Sequence, residues 1–323
     1  MQTLINLLNA AVRSGTPLLL ATSGEILTEK SGNLNLGVEG IMYMGAIGGL
    51  GAAWYFEQWF GGGAIAAVAC FVIAFLMGLL GSLIYSILTT TLRANQNVTG
   101  LTLTIFGTGF AKFFGEHLGN QAGGYVAVSK DTTAIFNYAP FAALKDIPVV
   151  GPLLFSYNWM LYLAIVFALV MGWFLNHTRK GLMLRSVGED PATADTAGIS
   201  VSRYRYGATL IGGGLGGLGG MYMAMVGQNG IWATDCVSGY GWLAIALVIF
   251  ATWSPLRAIY CAIIFGGLDV MYMYFPIKGL PTQIYISLPY IVTILVLIFT
   301  SMRQSKEHSI PAGTGLNYFR EDR

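Results

Sequence analysis

Charged residues are scarce in this sequence. Asp, Glu, Lys and Arg make up 10% of the 323 residues, whereas hydrophobic residues make up 55%. Soluble domains carry about 25% charged residues, so the chain lacks the polar shell that a water-soluble core needs. The net charge of +2 gives no electrostatic basis for binding nucleic acid. Lipid is the solvent that suits such a composition.

Cysteine and histidine are also few. The three cysteines, Cys70, Cys236 and Cys261, fit no metal motif by spacing and are expected to be small buried hydrophobic residues. The three histidines form no catalytic or metal-ligand grouping with other residues that spacing reveals. No stretch matches the G-x-x-x-x-G-K-[ST] nucleotide loop, and no cleaved signal peptide is expected. The sequence therefore predicts no catalytic residue, no metal site and no ATPase activity of its own.

Long apolar stretches fill the chain. A membrane-spanning helix needs about 20 mostly apolar residues in a row. Their approximate bounds are 3–23, 34–56, 65–92, 98–118, 159–176, 207–227, 240–253, 258–275 and 285–301. They predict an all-α, polytopic membrane helix bundle of about eight to ten transmembrane helices, since each stretch has roughly the required length. We expect a single transmembrane domain over residues 1–302.

Basic residues indicate the orientation, because loops rich in Lys and Arg stay in the cytoplasm. The densest basic cluster lies in residues 177–206, which we call the basic loop and place in the cytoplasm. Alternating crossings then put residues 119–158 outside the membrane and the tail, 303–323, inside, where we expect it to have little order. The side on which the N-terminus lies stays open, because Arg13 interrupts the first stretch.

A glycine run marks one face of the sixth apolar stretch. Gly212, Gly216 and Gly220 are four residues apart, so on a helix they share a face. Bare glycine lets two membrane helices approach closely. A dinucleotide-binding loop is the alternative for this run, but it requires a preceding strand and an acidic residue about 20 residues on. We therefore predict helix packing.

Polar residues stand at the start of two apolar stretches. They are Asn33, Asn35 and Glu39 in one and Gln96 and Asn97 in the other, and they are candidates for the substrate pathway. Glu39 either lines a polar pathway or is held by backbone amides as a lock at a helix break, and both alternatives stay open. Asn97 is also a candidate helix cap. Asp269 is expected to be a lock or to lie at a membrane edge.

The basic loop contains a short helix with both ends marked. Asp190 is a good N-cap, Pro191 suits the first helical position and Gly198 suits the position just past the end. Such a helix could be a rigid knob for a partner or a plain surface helix, and the residues alone leave both open.

Two blocks resemble a known family. The block EILTEKSGNLNLGVEG at residues 25–40 and the block LRSVGEDPATADTAGI at residues 184–199 resemble the permeases of bacterial ABC importers of the nucleoside and simple-sugar type. These permeases belong to a superfamily that also serves branched-chain amino acids and ribose. The chain is similar to the shorter of two different permeases that pair with each other.

The resemblance implies a function and a set of partners. It implies a transport subunit, not an enzyme, in the bacterial plasma (inner) membrane, paired with a second, different permease within the lipid bilayer. Separate ATPase subunits would bind ATP and Mg, and an extracytoplasmic binding lipoprotein would deliver a nucleoside or related sugar. The resemblance also implies that the basic loop, 177–206, is a coupling loop. The residues implied to contact the ATPase are Arg185, Gly188, Glu189, Asp190, Pro191, Ala194 and Gly198.

An ion-coupled secondary transporter or channel for a small polar solute is the alternative function. Such proteins carry acidic residues near the bilayer midplane, and Glu39 and Asp269 fit that pattern. The two functions differ in whether an ATPase subunit co-isolates with the chain.

Overall fold

The chain forms a bundle of helices. A computed structural model describes residues 2–145, 147, 150–276, 281–303 and 310–319. Within these residues the only strand-like pairing is one isolated antiparallel bridge between Ala127 and Ile231. The helices are α1 (Gln2–Lys30), α2 (Val38–Phe60), α3 (Ala64–Ser86), α4 (Gln96–Gln121), α5 (Lys130–Asn137), α6 (Val150–Leu154), α7 (Trp159–His177), α8 (Arg179–Glu189), α9 (Pro191–Thr196), α10 (Val201–Tyr222), α11 (Tyr240–Phe250), α12 (Pro255–Tyr274) and α13 (Thr282–Arg303).

The predicted all-α membrane bundle is confirmed, and every predicted apolar stretch coincides with a helix. In the described part of the chain, five helices are both long and apolar enough to cross a membrane. They are α1, α7, α12, α3 with its π-helical extension Ile87–Thr91, and α10 with its extension Met223–Gly227. α2 and α4 are also long, with 23 and 26 residues. α11 has only 11 residues, so the number of spans stays a prediction.

α10 lies at the centre of the bundle, packed against α1, α2 and α3. Glycine makes this possible, because a Cβ on Gly212 would lie 2.5 Å from the carbonyl oxygen of Gly24, and one on Gly220 would lie 1.8 Å from that of Met42. Gly216 corrects the expectation of one uniform face. A Cβ there would meet only the Ile41 side chain, at 3.5 Å, because Gly216 faces a side chain and not a backbone.

Helix directions follow from the same contacts. α1 runs antiparallel to α10, since Gly24 lies beside Gly212 while Pro17 lies beside Gly219. α2 and α4 run parallel, since Gly40 lies beside Gly107 while Gly51 lies beside Leu118. These directions agree with chain crossings that alternate along the sequence.

The segment between α4 and α7 packs on one end of the bundle. The backbone N–H and the hydroxyl of Ser129, just before α5, both donate to the carboxylate of Glu57 at the end of α2. The Tyr157 hydroxyl donates to Asn9 of α1 at 2.9 Å. This end therefore contains the start of α1, the end of α2 and residues 119–145, which the basic-residue pattern places outside.

The C-terminal tail corrects the expectation of little order. Residues 310–319, which we call the strap, lie against the opposite end of the bundle. Gly313 N–H donates to the Gly188 carbonyl at 2.9 Å, and Gly315 N–H donates to the Gly32 carbonyl at 3.1 Å. The turn residues of the sequence PAGTG at 311–315 let the backbone fold back to make these bonds. Residues 304–309 and 320–323 lie outside the described residues.

Candidate functional site

Residues 31–37 form a buried link without helical structure between α1 and α2. Backbone polar groups of such a link must find partners inside the protein. Leu34 N–H donates to the Gln96 side chain at 2.7 Å, and Asn35 N–H donates to Glu25 at 3.2 Å. The Leu36 carbonyl accepts from Thr104 at 3.0 Å. The link is thus fixed by side chains of α1 and α4.

The predicted pathway residues Asn33 and Asn35 are part of this link, and both are fully enclosed. Asn33 donates its amide to the Thr209 hydroxyl of α10 at 2.9 Å, while its side-chain oxygen has no hydrogen-bond partner among the residues that the structure describes. Asn35 accepts from the N–H of Gly37 at 2.9 Å, a local turn that directs the chain into α2. They hold the wall in place, and neither is open to solvent.

Glu39 connects the start of α2 to the start of α11. It is 5% exposed, and its carboxylate accepts the backbone N–H of Gly239 at 2.7 Å and that of Gly241 at 2.6 Å. The first N–H groups of a helix have no partner within it and favour a negative charge. This geometry favours the lock over an open pathway position.

The second polar cluster is divided between two environments. Gln96 is buried and bonds Leu34 as described, while its amide lies 3.4 Å from the Leu316 carbonyl of the strap. Asn97 is exposed in the first turn of α4. The cap of α4 is Asn95, whose side chain accepts from Val98 N–H. The expectation that Asn97 is the cap is therefore corrected by two positions.

The short helix of the basic loop, α9, has the predicted caps. The Asp190 carboxylate accepts the N–H groups of Ala192 and Thr193 at 3.0 and 3.1 Å, and Pro191 is the first helical residue. The bond from the Thr193 hydroxyl, followed by these backbone bonds, holds the pKa of Asp190 below its usual range. Gly198 has φ +83° and ends the helix, a conformation that favours glycine.

The faces of α9 differ from the expectation. Ala194 is buried, in a cluster with Val187 and Val201, so it faces the bundle and not a partner. A helix of six residues is too short for its sequence to show which face is buried. The exposed residues of this segment are Thr193, Thr196, Ala197 and Gly198.

The remaining predicted coupling residues lie where α8 ends. Gly188 is buried, and a Cβ there would lie 2.3 Å from the Lys30 carbonyl oxygen. Glu189 is exposed and accepts Ala312 N–H of the strap at 3.2 Å. Arg185 is half-buried one turn earlier. The junction of α8 and α9 is thus held against both the end of α1 and the strap.

Three groups in this region escaped the sequence analysis. Glu25 and Glu29 are buried in α1, where Glu25 holds Asn35 and Glu29 accepts the Trp253 indole N–H. Arg205 is 1% exposed and donates to the Leu316 carbonyl at 3.0 Å, although the sequence places it among loop charges. The only signal for the two glutamates is that they fall within the block at residues 25–40.

A polar pocket lies at the other end of the bundle, between α4 and the segment before α11. Its volume is about 350 Å³, and the residues that line it include Glu116, Asn120, Tyr125, Trp232 and Thr234. The backbone of Trp232 is fixed, because its backbone N–H donates to the Val126 carbonyl at 2.9 Å. Carboxylate, amide and aromatic groups together can bind hydroxyl groups and the flat face of a ring.

Comparisons with known proteins agree with this architecture. The family model for the permease component of branched-chain amino acid transport systems matches residues 6–301. The chain is 34% identical to TsgC13 of Haloferax volcanii, an ABC transporter permease protein whose name assigns glucose to it provisionally, over 98% of both chains. It is 34% identical to the guanosine ABC transporter permease protein NupQ of Bacillus subtilis, over 87% of both chains. It is 31% identical to the nucleoside ABC transporter permease protein NupC of Lactococcus lactis, over 94% of both. No solved structure matches the chain.

The fold and these matches define a multi-pass membrane transport component, not an enzyme. The chain belongs to the family of branched-chain amino acid transport system permease components. It is therefore the permease subunit of an ABC transport system.

Proposed function

We propose that this permease imports nucleosides or related sugars across the plasma membrane of a bacterium. The names of NupC and NupQ, which refer to nucleosides and guanosine, support the first class, and that of TsgC13, which refers to glucose, supports the second. Both classes contain a ring with several hydroxyl groups, which suits the polar and aromatic groups of the outer pocket.

The permease works with three kinds of partner in this proposal. The first is a second, different permease, supported by the weaker similarity of the chain to NupP of Bacillus subtilis, at 25% identity over 139 residues, besides NupQ. The second is an ATPase subunit that binds ATP and Mg. The third is an extracytoplasmic binding lipoprotein that delivers substrate to the outer pocket.

The buried polar residues hold the wall of the route in shape. Asn33, Asn35 and Glu39 fix the link and the start of α11, and Gln96 connects the link to the strap. A polar solute needs such a wall to keep its geometry, because misplaced hydrogen-bonding groups lose affinity. Their role in this proposal is support near the route, with Asn97 at its exposed cytoplasmic end.

The observation that carries the proposal is the capped helix α9 at the basic end of the bundle. Work from ATP hydrolysis must enter through a cytoplasmic surface that is stiff. α9 is stiffened by Asp190, Pro191 and Gly198, and its inner side is anchored by Ala194. Its exposed side, with Thr193, Thr196 and Ala197, is the surface that contacts the ATPase.

The test is Ala197→Arg, which adds bulk and charge on the exposed side of α9. We expect this variant to insert and pair normally but to lose uptake of labelled guanosine or glucose and to lose stimulation of the ATPase. Ala143→Arg, at an exposed site in the outer segment, is the matched control and should keep both activities.

Two results would contradict the proposal. Normal uptake by Ala197→Arg, with the ATPase still bound, would make α9 an ordinary surface helix. Uptake that continues without any ATPase subunit would favour the ion-coupled alternative.

A further inference from the structure

The strap presents apolar side chains to solvent although its backbone is fixed. Ile310 is 43% exposed, Leu316 is 62% exposed and Phe319 is 38% exposed. The carbonyl of Leu316 accepts from Arg205, so the side chain of Leu316 is displayed by a held backbone. An ordered segment that exposes large apolar side chains at the end of the bundle offers the apolar part of a surface for a partner.

The strap crosses the end of the bundle and does not lie along its lipid perimeter. It bonds the link at Gly32, the end of α8 at Gly188 and α10 at Arg205. The Asn317 amide also donates to the carbonyl of Arg93, in the turn before α4, at 2.6 Å. Because all four elements meet at this end of the bundle, the strap lies on that end and is not part of a lipid-facing helix.

The strap is also continuous with α9. The Tyr318 hydroxyl donates to Asp195 of α9 at 2.7 Å, and the Tyr318 ring packs on the cluster that contains Ala194. The exposed face of α9 and the exposed face of the strap therefore form one surface with two parts.

We infer that the ATPase subunit binds this whole surface, with Leu316 and Phe319 of the strap as apolar anchors beside α9. The inference rests on the proposed function, which supplies the ATPase as a partner. Apolar anchors that are held before binding contribute most to an interface, since little side-chain order is lost. Through the strap the ATPase is connected to the link at Gly32, and through α9 to the junction with α8, which lies against the end of α1.

The first experiment compares single variants of the purified whole transporter. Leu316→Asp puts a charge on the exposed side chain and leaves its hydrogen-bonded carbonyl in place. We expect binding of the co-purifying ATPase subunit to weaken by about tenfold or more, which corresponds to about 1.4 kcal/mol. Leu144→Asp, at a 42% exposed leucine in the outer segment, is the matched control and should bind normally.

The second experiment does not depend on the stability of the aspartate variant. Leu316→Cys, with a short thiol cross-linker in the whole transporter, should cross-link to the ATPase subunit. The native cysteines Cys70, Cys236 and Cys261 are all buried, so the introduced thiol should react first.

The outcomes separate this inference from the proposed function. Normal ATPase binding by Leu316→Asp, with cross-links from Leu316→Cys to the paired permease or to lipid, would overturn the inference. Loss of ATPase binding by Ala197→Arg in the same assay would still support the proposed function. Normal ATPase binding by both variants, together with normal uptake by Ala197→Arg, would overturn the two together. Loss of ATPase binding by Leu316→Asp, together with a cross-link from Leu316→Cys to the ATPase subunit, would support the inference.

Discussion

α10 and α3 lie side by side in the bundle but are built in opposite ways. In the apolar stretch of α10, 72% of the residues are buried, compared with 33% in that of α3. α3 is the more apolar of the two and exposes large side chains such as Val68 and Leu76. α10 is rich in glycine and is enclosed on several sides. Between these two helices, small residues mark the enclosed one and large apolar residues mark the one on the outside.

The difference follows from the solvent. In water, large apolar side chains are buried because that removes them from water. Lipid tails are as apolar as leucine, so burial brings no such gain, and the interior is selected by close backbone contact and by hydrogen bonds. The comparison can be tested by matched pairs of variants, in which one substitution is at a tightly packed site and the other is at a site with free space around it.

The largest effect is expected for the glycine pair. Gly220→Ala would place a Cβ 1.8 Å from the Met42 carbonyl oxygen, so two helices must separate. We expect a loss of about 2–3 kcal/mol of stability, in the upper range for overpacking. Gly216→Ala, whose Cβ meets only Ile41 at 3.5 Å, should stay close to the native protein. Thermal unfolding in detergent measures both, and equal melting temperatures would contradict the packing argument.

The next effect is expected for a pair of glutamates. Glu39→Gln replaces a carboxylate that accepts two N–H groups by an amide with one acceptor and one donor. One N–H at the start of α11 then loses its partner, which costs about 1–3 kcal/mol. The melting temperature and the rate of uptake should both decrease. Glu116→Gln, at an exposed site of α4, is the control for stability. A native melting temperature for Glu39→Gln would contradict the interpretation that Glu39 locks the start of α11 in place.

The smallest effect is expected at the outer pocket. Tyr125 is 69% exposed, so Tyr125→Ala should leave stability unchanged. Loss of one aromatic contact of about 1 kcal/mol would raise the KM for uptake roughly fivefold. Tyr138→Ala, at 63% exposure in the same outer segment and outside the pocket, is the control. Identical KM values for the two variants would exclude Tyr125 from the substrate route.

The sequence predicted the features that local rules decide. The helices, the caps of α9 at Asp190 and Gly198, and the close approach at Gly212 and Gly220 follow from periodicity, cap chemistry and residue size. Each of these signals lies within a few neighbouring residues of the sequence, so it can be interpreted without knowledge of the fold.

The features that the sequence left open or missed depend on distant partners. Glu39 is held by backbone N–H groups of Gly239 and Gly241, which have no side-chain signature. The strap is ordered by Gly32, Gly188 and Arg205, which lie far from it in the chain. No periodicity or cap rule connects such pairs.

The contacts of Glu39 also constrain how the protein is made. Its partners lie 200 and 202 residues later in the chain. At about 5–20 residues per second of synthesis, roughly 10–40 s pass between the appearance of Glu39 and that of the N–H groups that hold it. The strap, which holds Gly32 at the same end, follows later still. The first third of the protein thus acquires its final form only when the last third has been made.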